Sequence, residues 1–147
     1  MKLYIGTDHA GYELKESLKR WLSDLGHEVE DMGAYSFDPD DDYNEPIVRV
    51  ARNVAGNDGT AGIILGGSGQ GEAMQANRVA GVRATVFYGG DLDIIRLSRE
   101  HNNANILSLG ARFLSESLAR DAVRLWLETE FSGEARHERR NTKIDEV

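Results

Sequence analysis

A chain of 147 residues is long enough to bury one hydrophobic core, and no apolar run in it approaches the roughly 20 residues of a membrane helix. Its 40% hydrophobic and 29% charged residues fit a soluble protein. The formal net charge of −8 argues against nucleic-acid binding, and the absence of cysteine excludes disulfides and thiolate chemistry.

The opening residues, MKLYIGTDHAG, lack the apolar core and cleavage site of a signal peptide, which is the expectation for a cytoplasmic protein. Residues 2–7 (KLYIGT) read as a strand. Residues 11–26 carry a helical stripe of Leu14, Leu18, Trp21, Leu22 and Leu25, closed by Gly26. Residues 27–33 form a weaker strand, and 45–57 a helix with Pro46 near its start. Residues 61–66 (AGIILG) are wholly apolar, as in a buried parallel strand. A brief helix at 72–78, a strand at 81–88, a helix at 92–102 and a strand at 104–110 follow. The last helix spans 115–131, with Ser115 as its N-cap.

This strict alternation predicts an α/β fold with one parallel sheet covered on both faces. The whole chain, 1–147, reads as one domain with a basic tail from about residue 132. Ligands of such sheets bind beyond the carboxyl ends of the strands. That edge receives Asp8 and His9, the loop from Gly66 to Glu72, the stretch from Tyr88 to Asp91, and the turn from Gly110 to Arg112.

The loop GGSGQG, residues 66–71, holds four glycines and Ser68 and is followed at once by Glu72. Glycines let backbone amides approach an anion closely. The loop matches neither the Walker A pattern nor the dinucleotide fingerprint. A tight strand-to-helix turn would use the same residues. Glu72 in the first helical turn is expected to favour its ionised form. An ionised acid beside an oxyanion cradle is also the arrangement for removing a proton next to a carbonyl. Ser68 can hydrogen-bond the same substrate region.

The remaining candidates are polar residues near the predicted edges. Asp8 suits either a turn cap or a site role, and His101 suits either a helix end or a site role. His27 reads as structural, and His137, among the tail arginines, has no evident role. The run ARHERRNTK, residues 135–143, is basic within an acidic protein. It fits a small anion or simply a solvated tail.

The segments GTDHAGYELK, GGSGQGEAMQANRVAGVRA, REHNNANILSLGAR and FSGEARHERR together resemble the type B ribose-5-phosphate isomerases. These belong to a wider family that includes galactose-6-phosphate isomerases. The resemblance covers nearly the whole chain. It implies a Rossmann-like three-layer α/β/α sandwich with a five-stranded parallel sheet. It also implies a homodimer or tetramer with shared active sites, and no metal or cofactor.

Residue by residue, the resemblance makes Asp8 and His9 sugar and phosphate contacts. It makes residues 67–71 (Gly67, Ser68, Gly69, Gln70, Gly71) the cradle of the reacting end. His101, together with Asp8, becomes the acid or base that opens the sugar ring, Asn102 a substrate contact, and Arg112, Arg136 and Arg140 a phosphate clamp. Tyr43 lies where the family has Asp-Tyr-Pro, but here Asn44 follows it. Many members carry cysteine where this chain has Gly66. The chain is similar instead to a branch that uses a glutamate four positions after the loop serine, which is Glu72.

The expected reaction is therefore interconversion of ribose 5-phosphate and ribulose 5-phosphate, with Glu72 as base. Isomerisation of a four- or six-carbon sugar phosphate, or phosphosugar binding without turnover, are the alternatives.

Overall fold

The computed structural model describes residues 1–147, and in it the run Ile63-Ile64-Leu65 forms the middle of a fully buried strand. This strand, β3 (Ala61–Gly66), shares a sheet with β1 (Lys2–Thr7), β2 (Glu28–Asp31), β4 (Ala84–Phe87) and β5 (Ile106–Gly110). The order is β2-β1-β3-β5-β4, and every pairing is parallel. Thr7 lies opposite Leu65, and Gly66 opposite Gly110. A central parallel strand is covered on both faces, so its sequence is apolar throughout. The edge strand β2 alternates exposed and half-buried residues, which explains the weak signal of EVED.

Side chains alternate across the sheet. Leu3, Ile5, Ile63, Leu65, Leu107 and Leu109 pack with α1 (Tyr12–Asp24), α4 (Asp93–Glu100) and α5 (Glu116–Glu128). Tyr4, Ile64 and Ile106 pack with α2 (Asn44–Gly56) and α3 (Gln70–Ala76). The expected α/β/α sandwich is therefore present. Ser115 caps α5 as expected, its hydroxyl accepting the Leu118 N–H at 3.1 Å. On α1, Leu18 and Leu22 are buried, but Leu25 is exposed. Leu25 lies past the last helical turn, next to Gly26, whose φ of +93° leads the chain away.

Two features lie outside the sequence reading. Lys15, fully buried on α1, donates to both oxygens of Asp31 and to the Ala34 carbonyl, at 2.6–2.8 Å. Burial alone would push the Asp31 carboxyl up, but hydrogen bonds from Lys15 and Lys19 hold it below its ordinary value. The basic tail is also folded, as helix α6 (Ala135–Lys143). Of its residues only His137 is buried, so it presents no apolar stripe to the sequence reader.

β1 has β2 on one side and β3 on the other, so the topological switch point falls between β1 and β3. The loops after those two strands carry Asp8 and the glycine run, and such a crevice is where open α/β sheets take ligands.

Candidate active site

The ends of β1 and β3 are tied together by the Thr7 hydroxyl, which donates to the Leu65 carbonyl at 2.9 Å. Beyond Thr7 the chain turns through a short 3₁₀ segment, His9–Gly11. Asp8 caps it, one oxygen accepting the Ala10 N–H at 3.0 Å. The turn-cap reading of Asp8 is therefore met, and the cap engages Oδ1 alone, leaving Oδ2 facing His9 Nδ1 at 3.9 Å.

The glycine loop runs from β3 into α3. Gly69 adopts φ +78°, a conformation open to glycine. Ser68 Oγ accepts the Gln70 N–H at 3.3 Å. The loop after β5 is laced to it: the N–H groups of Ala111 and Arg112 donate to the carbonyls of Gly66 and Gly67, at 2.8 and 3.1 Å. This pairing sets Arg112 over Gly67, where an added methyl would stand 3.1 Å from Nη1. Tyr43 reaches over Gly71 in the same way, its hydroxyl 2.6 Å from where a methyl would be. Asn44, the departure from the family pattern, donates to Gln75 at 2.8 Å and so joins the start of α2 to α3.

Glu72 is 4% exposed. Its carboxyl lies against the backbone of Gly66, so that any side chain at residue 66 would overlap it. The helix start was expected to favour the carboxylate. The structure corrects this: burial pushes the Glu72 carboxyl above its ordinary range, its own N–H opposes the shift, and the nearby charge of Asp8 adds to it. A base with a raised affinity for protons is better matched to abstraction near neutral pH.

His9 is held by an aspartate that sequence did not single out. Asp41 Oδ1 accepts the His9 N–H at 3.0 Å and lies 2.8 Å from ring atom Nδ1. That hydrogen bond, aided by the charge of Asp8, raises the imidazole pKa above 6.5. Asp8, His9 and Asp41 offer ligand atoms within 4.8 Å of one another, as a cation site would. The His9–Asp41 hydrogen bond already accounts for that closeness.

A second group of candidates lies at the other edge of the sheet. His101 closes α4, just before β5 begins. Its ring stacks on that of His137, centroids 4.3 Å apart and planes 13° apart. Asn141 of α6 donates to the His101 carbonyl at 3.1 Å. The Asn102 carbonyl accepts from Arg83 Nε at 3.1 Å. On α6, exposed Arg136 pairs with Glu134 at 3.0 Å, while exposed Arg140 forms no ion pair. β5 separates this group from the glycine loop by roughly 13 Å of strand. One chain therefore brings together Asp8, His9, Tyr43, the loop residues, Glu72 and Arg112. It does not bring His101, Asn102, Arg136 and Arg140 to them.

The model of the ribose/galactose isomerase family matches residues 3–144. The chain belongs to this family. It is 40% identical over 140 residues to ribose-5-phosphate isomerase B of Mycobacterium leprae, covering 95% of this chain and 85% of that protein. Among crystal structures it is similar to a ribose 5-phosphate isomerase from Thermotoga maritima, with 44% identity, a TM-score of 0.92, and 99% and 98% of the two chains covered. It is also similar to ribose-5-phosphate isomerase B from Mycoplasma genitalium with bound ribulose-5-phosphate. There the identity is 36%, the TM-score 0.93, and the coverage 99% and 94%.

Near these candidates, sequence reasoning did not single out Asp41 and gave His137 no role. Asp41 lies in DPDDDYNE, where nothing distinguishes one aspartate from its neighbours. For His137 a signal existed: Arg136 and Arg140 are four apart, the spacing of one helical face, and a histidine between them belongs to the same turn.

Proposed function

We propose that the chain is an aldose–ketose isomerase interconverting ribose 5-phosphate and ribulose 5-phosphate through a cis-enediolate. The observation that carries this is the buried Glu72 carboxyl lodged against the glycine loop at Gly66. It is supported by the relatives' shared name and by the Mycoplasma genitalium protein with its bound ribulose-5-phosphate.

Glu72 takes the proton from carbon 2 and returns it to carbon 1. As it does so, negative charge develops on the carbonyl oxygen, and amides of Gly67, Gly69, Gln70 and Gly71 with the Ser68 hydroxyl stabilise it. The free oxygen of Asp8 and the Tyr43 hydroxyl bind sugar hydroxyls. His9, whose affinity for a proton Asp41 raises, and Arg112 hold the phosphate; Arg136 and Arg140 complete the clamp, with bidentate geometry suited to a phosphate. His101 opens the furanose ring and Asn102 binds the sugar beside it. Remote anchoring keeps carbon 2 in register with Glu72. No cofactor or metal enters these steps.

His101, Asn102, Arg136 and Arg140 reach the glycine loop from a second copy of the chain. Two observations support this reading. In one chain they lie at the opposite sheet edge, and beside the glycine loop exposed Tyr88, which crowds Gly110 together with the Ser68 backbone, pairs edge-on with exposed Phe113. Large exposed apolar side chains grouped about a site suit burial by a partner. The chain acts as one catalytic domain, α6 included, in a cytoplasmic homodimer or tetramer.

A second reading, isomerisation of another sugar phosphate, is favoured by the breadth of the family that matches, which spans ribose and galactose isomerases. Turnover of ribose 5-phosphate, erythrose 4-phosphate and allose 6-phosphate by the purified chain, beside Glu72→Gln, decides between them. The expected result is pentose turnover that disappears in the variant. Turnover of a different sugar would keep the base and change the substrate. Binding without turnover would leave a phosphosugar-binding module.

A further inference from the structure

α6 is a helix with an exposed, charged surface and one buried side chain, His137. That side chain meets the His101 ring face to face at 4.3 Å. A polar helix docked through one imidazole is an unusual use of a buried group, since burial of a ring nitrogen without a partner costs free energy. His137 Nε2 is such a nitrogen: it is buried and has no hydrogen-bond partner. What the burial secures is the stack and, one turn further along, the hydrogen bond from Asn141 to the His101 carbonyl. Ser132, ahead of the helix, donates its N–H to the Glu100 carbonyl at 3.1 Å. Three contacts thus converge on Glu100 and His101, and the stack is the only one that touches the His101 side chain.

We infer that His137 is a positioning residue that fixes the plane of the His101 imidazole for opening the sugar ring. This rests on the role of His101 given above. A ring free to rotate about its side-chain torsions would present its nitrogens to the ring oxygen only part of the time. Misplacement by about 1 Å can cost on the order of a hundredfold in rate. Burial, then the charge of His101, lower the His137 pKa, which favours the neutral ring in the stack. Arg136 and Arg140 flank His137 on the same helix, and the backbone contacts of Asn141 and Ser132 hold that helix, and so the proposed phosphate clamp, in place without the stack.

The chemistry offers a readout that separates this role from a general structural one. Ribose 5-phosphate closes through its 4-hydroxyl and must be opened before carbon 2 can react. Ribulose 5-phosphate carries its phosphate on oxygen 5 and stays open. Exchange of its carbon 1 proton with solvent deuterium proceeds through the enediolate, which needs Glu72 and no ring opening. At saturating substrate, His137→Ala is expected to lower turnover of ribose 5-phosphate on the order of a hundredfold. Deuterium exchange into ribulose 5-phosphate should stay close to the native rate.

His137→Phe keeps a flat face against His101 and should recover most of the lost turnover. It also serves if the alanine variant fails to fold. The inference is overturned if isomerisation and exchange fall together in the phenylalanine variant, or if a folded alanine variant isomerises ribose 5-phosphate at the native rate. His101→Asn separates the layers of the argument. If it too leaves ribose 5-phosphate turnover intact, the assigned role of His101 fails. If it alone loses turnover while His137→Ala does not, His137 has no positioning role.

Discussion

The carboxyl of Glu72 stands where a side chain on Gly66 would stand. A methyl built on Gly66 falls 2.5 Å from Glu72 Oε2 and closer still to the rest of the carboxyl. The two positions exclude one another: a side chain at the end of β3, or the acid of α3, but not both in this arrangement. Cysteine-free composition and the placement of the acid are then one design rather than two facts.

Gly66→Ala is therefore expected to expel Glu72 without breaking the fold, since Gly66 pairs in an ordinary extended strand opposite Gly110. The loss should fall on kcat, by roughly the hundred- to ten-thousand-fold that a displaced general base costs. Circular dichroism and a coupled turnover assay measure the two halves. Native kcat in a folded Gly66→Ala protein would refute the assignment of Glu72 as base.

The raised affinity of Glu72 for its proton has a consequence for both rate and stability. Abstraction needs the ionised form, so kcat/KM should rise with pH along a limb displaced above the ordinary carboxyl value of 4.5. For stability the sign is the reverse. The folded state holds the proton to higher pH than the unfolded state, so stability falls as pH rises from 4.5 through the folded pKa. At neutral pH the buried charge is a cost that the site carries. Glu72→Gln should then melt higher than the native protein near pH 8, with the gain vanishing below about pH 4, while turnover is lost. A melting temperature unchanged at pH 8 would argue against the burial effect.

His9 and Asp41 offer a second titration. The hydrogen bond to Asp41 raises the His9 pKa, so its stabilising effect is full below the unfolded value of 6.5 and disappears as pH rises through the folded one. Asp41→Asn keeps the shape but removes the charge. The His9 C2 proton, followed by NMR, should titrate at lower pH in that variant. KM for ribose 5-phosphate above neutral pH should rise severalfold, with little change in kcat. An unmoved His9 titration would show that Asp41 does not set its charge.

Much of this site was legible because local rules act within short spans. AGIILG followed by glycines and an acid gives a buried strand, a close-approach loop and a helix start within twelve residues, and the structure places all three there. The DH pair after β1 needed only the rule about strand ends. What sequence could not show were choices settled by distant contacts. Which aspartate of the acidic loop reaches His9 depends on a loop 32 residues away. Lys15 is buried where a helix surface would be read, because Asp31 and the Ala34 carbonyl meet it from another strand and loop. The pKa of Glu72 went against the helix-dipole expectation because burial, a tertiary property, outweighed the local field.

The separation of the two residue groups leads to the most direct test of a shared site. Glu72 lies at the carboxyl edge of the sheet and His101 at the amino edge, with β5 between them. If each site takes Glu72 from one copy and His101 from another, Glu72→Gln and His101→Asn should each be nearly inactive alone. Mixed under conditions that exchange subunits, they should complement. Random pairing of equal amounts makes half of the dimers mixed. In each mixed dimer one site carries both substitutions and the other carries neither. Activity should therefore recover to about a quarter of the native level, a figure that follows from two-fold symmetry alone. Sites built wholly within one chain would give no recovery at all. Sedimentation of the mixture, with one variant labelled, establishes that exchange took place and so gives a negative result its meaning.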